Sequence, residues 1–218
     1  MSAIPKTKVL FVHGMGRSPL SGWPMLRQLK AAGFEVGCFG YFTSVESFSC
    51  IAERLAQRIA EIAAQGEYIL IGHSLGGVLI RAAVNSLPAT VRSPAHVFLL
   101  GSPTRASRLA QRFGRNPVFR RLTGDCGALL GSEQRMSRLG PIGPPTTGIA
   151  GVQGVAWKRG PFAGELNDGV VSLSEVSAEW LVDQVKAPAV HTLLPASKQV
   201  AGIILERWRQ AHAHADGA

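Results

Sequence analysis

The chain has 218 residues, of which 46% are hydrophobic and 17% charged, a composition typical of a globular domain with a buried core. This length leaves little room for two such domains, so we expect residues 1–218 to form one. The apolar runs are far shorter than the ~20 residues of a membrane-spanning helix, and the first residues lack the apolar stretch of a secretory signal. We therefore expect a cytoplasmic protein without a transmembrane segment.

The net charge is +9, but the basic residues do not form a stripe interleaved with aromatic residues. No nucleic acid partner is therefore expected.

Hydrophobic periodicity predicts strands and helices that alternate along the chain. The predicted strands are 9–12, 34–39, 68–71, 97–100, 147–152 and 185–190. The predicted helices are 23–32, 48–62, 78–87 and 196–208. Short strands that are apolar throughout are buried on both faces, and parallel strands need connections long enough to hold a helix. The sequence therefore predicts an α/β fold, with a mostly parallel twisted sheet and helices on both faces.

Residues 101–146 interrupt this alternation, and we interpret them as an inserted flap or small cap, since they are too long for a simple connection. Eight of the 17 arginines lie within 105–138, where Asp125 and Glu133 are the acidic residues. This Arg-rich segment is either an ordinary solvated face or a surface that attracts anions, such as a phospholipid surface or a phosphorylated acyl carrier. Residues 211–218 are predicted to be a flexible tail.

The most informative motif is Gly72-His73-Ser74-Leu75-Gly76-Gly77, which matches G-x-S-x-G. It lies between a predicted strand and a predicted helix, where a sharp turn would present the Ser74 hydroxyl above the sheet. The flanking glycines allow neighbouring backbone to approach closely, and the following helix N-terminus would favour a negative charge beside the serine. Ser74 is the candidate nucleophile; the alternative is an ordinary serine in a Gly-rich turn.

A nucleophilic serine needs a base to accept its proton. His191 follows a predicted strand, at the edge where parallel sheets assemble their sites, and is therefore the candidate base. The other histidines are in a Gly turn, beside the serine, at the start of a strand or in the tail: His13, His73, His96, His212 and His214.

The base in turn needs an acid to orient it, and in enzymes with this serine motif the acid follows the serine and precedes the histidine. Asp168, in a turn beyond the strand at 147–152, is the candidate; Asp183 and Glu165 are alternatives. An Asn-Asp-Gly turn without a catalytic role remains a competing interpretation.

An oxyanion intermediate needs two backbone donors, which we assign to the amides of Leu75 and Met15. Met15 lies in a glycine-rich turn after the first strand. This turn lacks the third glycine of a dinucleotide fingerprint, and the sequence contains no phosphate-binding loop motif, so no cofactor is expected. No metal is expected either.

Four short motifs occur in order: Val12-His13-Gly14-Met15-Gly16, the Ser74 motif, Asn167-Asp168-Gly169-Val170-Val171 and His191-Thr192. In this order they resemble the small lipases and esterases of the α/β-hydrolase superfamily, over residues 8 to about 208. The resemblance implies a minimal fold that begins at the third strand of the full one. It implies Ser74, His191 and Asp168 as a catalytic triad, with Met15 and Leu75 as oxyanion donors.

We therefore predict a serine hydrolase of carboxylic esters, acting on a small-molecule ester or lipid through an acyl-enzyme. Two alternatives remain. One is an acyl-thioesterase or acyltransferase with the same triad, and the other is a non-catalytic hydrolase fold that serves as a binding module.

Overall fold

The computed structural model describes residues 6–155 and 157–215, and these contain a six-stranded sheet. The strands are β1 (Lys8–Val12), β2 (Glu35–Phe39), β3 (Tyr68–His73), β4 (His96–Leu100), β5 (Thr146–Gly151) and β6 (Asp183–Ala187). All neighbouring strands are parallel, in the order β2-β1-β3-β4-β5-β6. The predicted α/β class is confirmed.

The strand order places a switch point between β1 and β3. From β1 the chain moves outward to β2 and then returns to the other side of β1 as β3, so the connections on either side leave in opposite directions. In open parallel sheets this creates a crevice at the carboxyl ends of the two strands. The loop after β1 and the turn after β3, which carry the predicted oxyanion donors and Ser74, both border that crevice.

Helices cover both faces of the sheet, as predicted. The helices are α1 (Trp23–Ala31), α2 (Phe48–Ala63), α3 (Leu75–Ser86), α4 (Arg108–Phe113), α5 (Pro117–Leu130), α6 (Glu133–Arg138), α7 (Leu173–Val176) and α8 (Lys198–Ala215). On one face, α2 and α3 bury their apolar residues in a core with Leu10, Leu70 and Leu99. On the other, α1 and α8 form a second core with Phe11 and Phe98. Alternate residues of each strand thus supply the two cores.

Several element boundaries differ from prediction. Strand β6 is 183–187 rather than 185–190, because Pro188 cannot continue the ladder and because the polar Asp183 and Gln184 belong to this half-exposed edge strand. Helix α3 begins at Leu75 rather than at 78, directly after the serine. Helix α8 continues to Ala215, well beyond the predicted end at 208, since its alanine-rich sequence favours helix. It thus includes 211–215 of the predicted flexible tail; residues 216–218 lie outside the described residues.

The interrupting segment 101–146 contains α4, α5 and α6. Gly124, at a left-handed φ of 53°, kinks α5, and there a Cβ would clash with the carbonyl of Thr43 in the β2–α2 loop. Next to the kink, Asp125 accepts a hydrogen bond from the Phe48 amide at the start of α2 (3.0 Å). The segment therefore packs over the carboxyl end of β2.

A buried arginine joins the two ends of this segment. The guanidinium of Arg81, on α3, donates to the carbonyls of Pro103 and Thr104 at one end and of Gly140 at the other. Burial lowers the pKa of Arg81 to about 10, so the group stays charged at neutral pH.

Among the described residues, none of the helices combines the length and the apolar composition that a membrane span requires.

Candidate active site

Ser74 occupies a strained turn between β3 and α3. Its backbone angles, φ 54° and ψ −123°, lie in a region that residues with a side chain rarely adopt. The turn is fixed by the Ser74 amide, which donates to the carbonyl of Leu100 at the end of β4 (2.9 Å). This geometry places the serine at the carboxyl edge of the sheet, as the motif predicts.

The glycines of the motif are required by close packing. A Cβ on Gly72 would clash with the backbone of Gly77, and a Cβ on Gly76 would clash with the carbonyl of Val12. On the opposite side, a Cβ on Gly14 would lie 3.2 Å from the Cβ of Ser74. The loop after β1 therefore runs directly against the serine.

Asp168 and His191 form a buried hydrogen-bonded pair. His191 Nδ1 lies 2.6 Å from Asp168 Oδ2, and the two residues are 6% and 2% exposed. The other carboxylate oxygen accepts from the amides of Val170 (3.0 Å) and Val171 (2.9 Å). The carboxylate is thus oriented by backbone donors. With Nδ1–H directed at it, the imidazole keeps Nε2 as a proton acceptor.

The pair meets the Ser74 turn beyond β4. A Cβ on Gly101 would lie 3.0 Å from Asp168 Oδ2 and 3.1 Å from His191 Nδ1, while the preceding carbonyl, that of Leu100, binds the Ser74 amide. The structure thus brings all three predicted residues to one edge of the sheet. No hydrogen bond joins the Ser74 hydroxyl to His191 here, and such bonds often tighten only when substrate binds.

The two predicted oxyanion donors flank the serine. Leu75 is the first residue of α3, so its amide has no carbonyl partner within the helix and points toward the helix N-terminal end. Met15 follows Gly14, whose backbone abuts Ser74. The two amides therefore belong to the segments that enclose the serine from either side.

His73 has a contact that the sequence did not indicate. Its Nε2 lies 2.9 Å from the backbone carbonyl of His191, so this nitrogen carries the proton. Burial is the main cause that lowers the pKa of His73 to about 3, and the nearby His191 is the second. The imidazole is therefore a neutral donor. The position of His73 beside the serine gives no hint of this link, since no local pattern pairs residues 118 positions apart.

A cavity of about 280 Å³ opens beside the loop after β1, lined among others by His13, Tyr41, Phe42 and Leu122. The Tyr41 hydroxyl donates to the His13 carbonyl (2.7 Å), and the two rings stack with centroids 4.3 Å apart. Leu122 belongs to α5, so the segment 101–146 borders this cavity. Tyr41 was not identified from the sequence.

The alternative acids have other partners. Asp183 lies at the start of β6, on the opposite edge of the sheet from the carboxyl ends, and pairs with Arg207 (2.5 Å). Glu165 pairs with Arg108 (3.1 Å). Neither contacts His191.

The remaining histidines are not placed to act as the base. Burial lowers the pKa of His13, so its imidazole stays neutral. His96 is the first residue of β4 and therefore lies at the opposite edge of the sheet. The side chains of His212 and His214 lie outside the described residues. Within the part of the chain that is described, no group of three or more His, Cys, Asp or Glu could hold a metal ion.

A parallel sheet with a serine on a strained strand–turn–helix, beside a buried aspartate–histidine pair, defines an α/β hydrolase. Residues 9–215 match the model of the alpha/beta hydrolase family, and the chain belongs to that family. The resemblance inferred from the motifs is confirmed. A comparison with curated proteins finds no match.

Three solved structures illustrate the fold. The mature lipase BlEst2 of Bacillus licheniformis is 16% identical, with a TM-score of 0.73 over 93% of this chain and 91% of its own. The RedJ thioesterase of Streptomyces coelicolor is 17% identical, with a TM-score of 0.60 over 94% and 90%. Tomato methylketone synthase I, complexed with 2-tridecanone, is 12% identical, with a TM-score of 0.64 over 95% and 100%. At identities this low, the structural similarity shows a shared fold and no more.

Proposed function

We propose that this protein is a serine hydrolase of carboxylic esters. The observation that carries the proposal is the buried Asp168–His191 pair, held against the turn that presents Ser74. Structural histidines rarely need a fully buried carboxylate on one nitrogen with the other left as an acceptor, whereas a general base needs that arrangement.

In the proposed reaction, His191 Nε2 removes the proton from the Ser74 hydroxyl as its oxygen attacks the acyl carbon. The amides of Met15 and Leu75 bind the oxyanion of the tetrahedral intermediate. His191 then gives the proton to the leaving alcohol, which departs and leaves an acyl group on Ser74. A water molecule, deprotonated by His191, releases the acid and restores the serine. Asp168 stays ionised and keeps the imidazole oriented.

The cavity beside the loop after β1 supports an acyl-binding role. Its volume of about 280 Å³ is near the lower limit for small-molecule sites, and Phe42 and Leu122 give it apolar walls. An ester with a short acyl group fits this volume best.

An acyl-thioesterase or acyltransferase is the second candidate, because the same residues would cleave a thioester. The arginines of 105–138 favour a substrate that is anionic or presented on an anionic surface. A non-catalytic binding module is a weaker alternative, since it would not require the Asp168–His191 pair. The single-domain organisation and the cytoplasmic location remain predictions within this proposal.

Covalent labelling tests the proposal. An alkyl fluorophosphonate should add one label, at Ser74, and prior acylation by substrate should slow that labelling. Hydrolysis of p-nitrophenyl esters from C2 to C16, measured beside matched acyl-CoA thioesters, then separates the first candidate from the second. An unlabelled Ser74 together with no hydrolysis of either series would overturn both.

A further inference from the structure

Large apolar side chains are exposed around the proposed active site. Leu20 follows β1, Phe42 and Val45 follow β2, Trp157 follows β5 and Leu193 follows β6, and each has more than half of its surface exposed. These segments leave the carboxyl ends of parallel strands, which share one edge of the sheet. Exposed apolar groups gathered at one edge mark an interaction surface.

Helix α5 extends this apolar rim. Val118 and Leu122 are one turn apart on its outer face, both more than 60% exposed, whereas Phe119 and Thr123 turn inward. Thr43 donates a hydrogen bond to the Leu122 carbonyl (3.2 Å), and Phe42 and Leu122 line the same cavity. The outer face of α5 is thus continuous with the loop after β2.

The segment that contains α5 also carries unneutralised positive charge. In the segment 105–138, all of which is described, Arg108 pairs with Glu165 and Arg135 with Asp125. The other arginines are exposed and form no ion pair with a described carboxylate: Arg105, Arg112, Arg115, Arg120, Arg121 and Arg138. On α5, Arg121 and Leu122 are consecutive and both exposed. Cationic and apolar side chains are therefore exposed together on this helix.

We propose that this edge of the molecule docks on the surface of an anionic phospholipid bilayer. The docking face is the carboxyl edge of the sheet, with Phe42, Val45, Val118 and Leu122 directed at the acyl boundary. The arginines of α4 and α5 and of the turn between them would meet the phosphate headgroups: Arg112, Arg115, Arg120 and Arg121. Arginine beside large apolar side chains is the composition of elements that lie in membrane interfaces. The apolar groups come from five separate segments around a rim, which a fluid surface accommodates without a complementary shape. The inference builds on the proposed function, because docking would bring lipid esters to Ser74.

Vesicle co-sedimentation of the full chain tests the proposal, with Ser74→Ala as the parent protein so that no lipid is consumed. The parent should bind vesicles of phosphatidylcholine with 30% phosphatidylglycerol at least tenfold more strongly than pure phosphatidylcholine, and 0.5 M NaCl should release it. A charge variant, Arg112→Gln with Arg115→Gln, Arg120→Gln and Arg121→Gln, should bind at least tenfold more weakly. An apolar variant, Val45→Gln with Val118→Gln, should bind at least threefold more weakly.

A matched control lies on the opposite edge of the sheet. Arg92, in the loop before β4, and Val182, directly before β6, are both exposed, so Arg92→Gln with Val182→Gln should bind vesicles as the parent does. The proposal would be overturned if the parent bound both kinds of vesicle equally well. It would also be overturned if the control and the charge variant lost the same amount of vesicle affinity. Salt-sensitive binding of an acidic acyl carrier protein without vesicle binding would overturn it as well. Hydrolysis of a soluble ester by the wild type is measured separately, so a failed docking face and a failed hydrolase assignment give different results.

Discussion

The imidazole of His73 donates from Nε2 to the backbone carbonyl of His191 across 2.9 Å, linking the residue before the proposed nucleophile to the proposed general base. His191 is also held through its amide, which donates to the Asp168 carbonyl (2.9 Å), and through Nδ1, which donates to the Asp168 carboxylate. Two bonds to its backbone and one to its ring therefore fix the position of His191. Of the three, the one from His73 ties it to the Ser74 turn.

His73→Phe should lower kcat about tenfold and change KM less than twofold, because loss of the donor loosens the alignment of His191 with Ser74 without altering the acyl cavity. Steady-state kinetics on a short p-nitrophenyl ester measure both constants. His73→Gln, whose amide can reach the same carbonyl, should retain most of the activity. A purely structural role would instead lower the melting temperature of both variants while the kcat of the folded fraction stayed the same.

Ser74 offers a second prediction through its backbone. Ser74→Ala should abolish ester hydrolysis and leave the fold intact, since alanine keeps the Cβ and only the hydroxyl oxygen is lost. Ser74→Gly should be equally inactive and yet more stable than Ser74→Ala by about 1 kcal/mol, because glycine adopts a φ of 54° without strain. Urea unfolding of both variants gives the difference. If Ser74→Gly is the less stable of the two, the turn stores no strain.

The acid can be identified by comparing two aspartates. Asp168→Asn should lower kcat by a factor of about 10³ or more, since an amide favours the wrong imidazole tautomer at His191. Asp183→Asn is the control: it removes an ion pair with Arg207 that is about a quarter to a third exposed, a loss of at most about 1 kcal/mol, and should leave kcat unchanged. Circular dichroism of each variant checks that it is folded. Reversed effects on kcat would assign the acid to Asp183.

The fold was largely predictable because most of its inner strands are buried on both faces and therefore read as unbroken apolar runs. β1, β3 and β4 illustrate this. β6 was misplaced because an edge strand is half exposed, and Asp183 and Gln184 give no apolar signal there. Helices α4, α5 and α6 were missed because Gly and Arg mask any periodicity, and contacts with the β2–α2 loop and with Arg81 hold this segment in place.

The predicted site residues share a common property. The positions of Ser74, Asp168 and His191 are implied by short motifs at the ends of strands, which parallel topology brings to one edge. The contacts of His73 and Tyr41 depend on pairing between distant segments and on the depth of burial. Composition and spacing carry no information about either, so those residues emerge only from the three-dimensional structure.

Buried histidines should make the fold sensitive to acid, and His96 allows a test away from the proposed site. Its Nε2 contacts Thr147 Oγ1 (2.9 Å), its Nδ1 is buried without a partner among the described residues, and burial lowers its pKa to about 4. In the unfolded chain the pKa is near 6.5, so below that pH the unfolded state binds a proton that the folded state does not. Stability is therefore fully present above pH 6.5 and declines as the pH falls toward 4. The decline is about 1.4 kcal/mol per pH unit for one histidine, or about 2 kcal/mol at pH 5.

Urea unfolding at pH 7.5 and 5.0 measures this decline. Between the two pH values, the free energy of unfolding should fall by about this amount less in His96→Gln than in the wild type. Equal losses in the two proteins would mean that His96 titrates normally in the folded state.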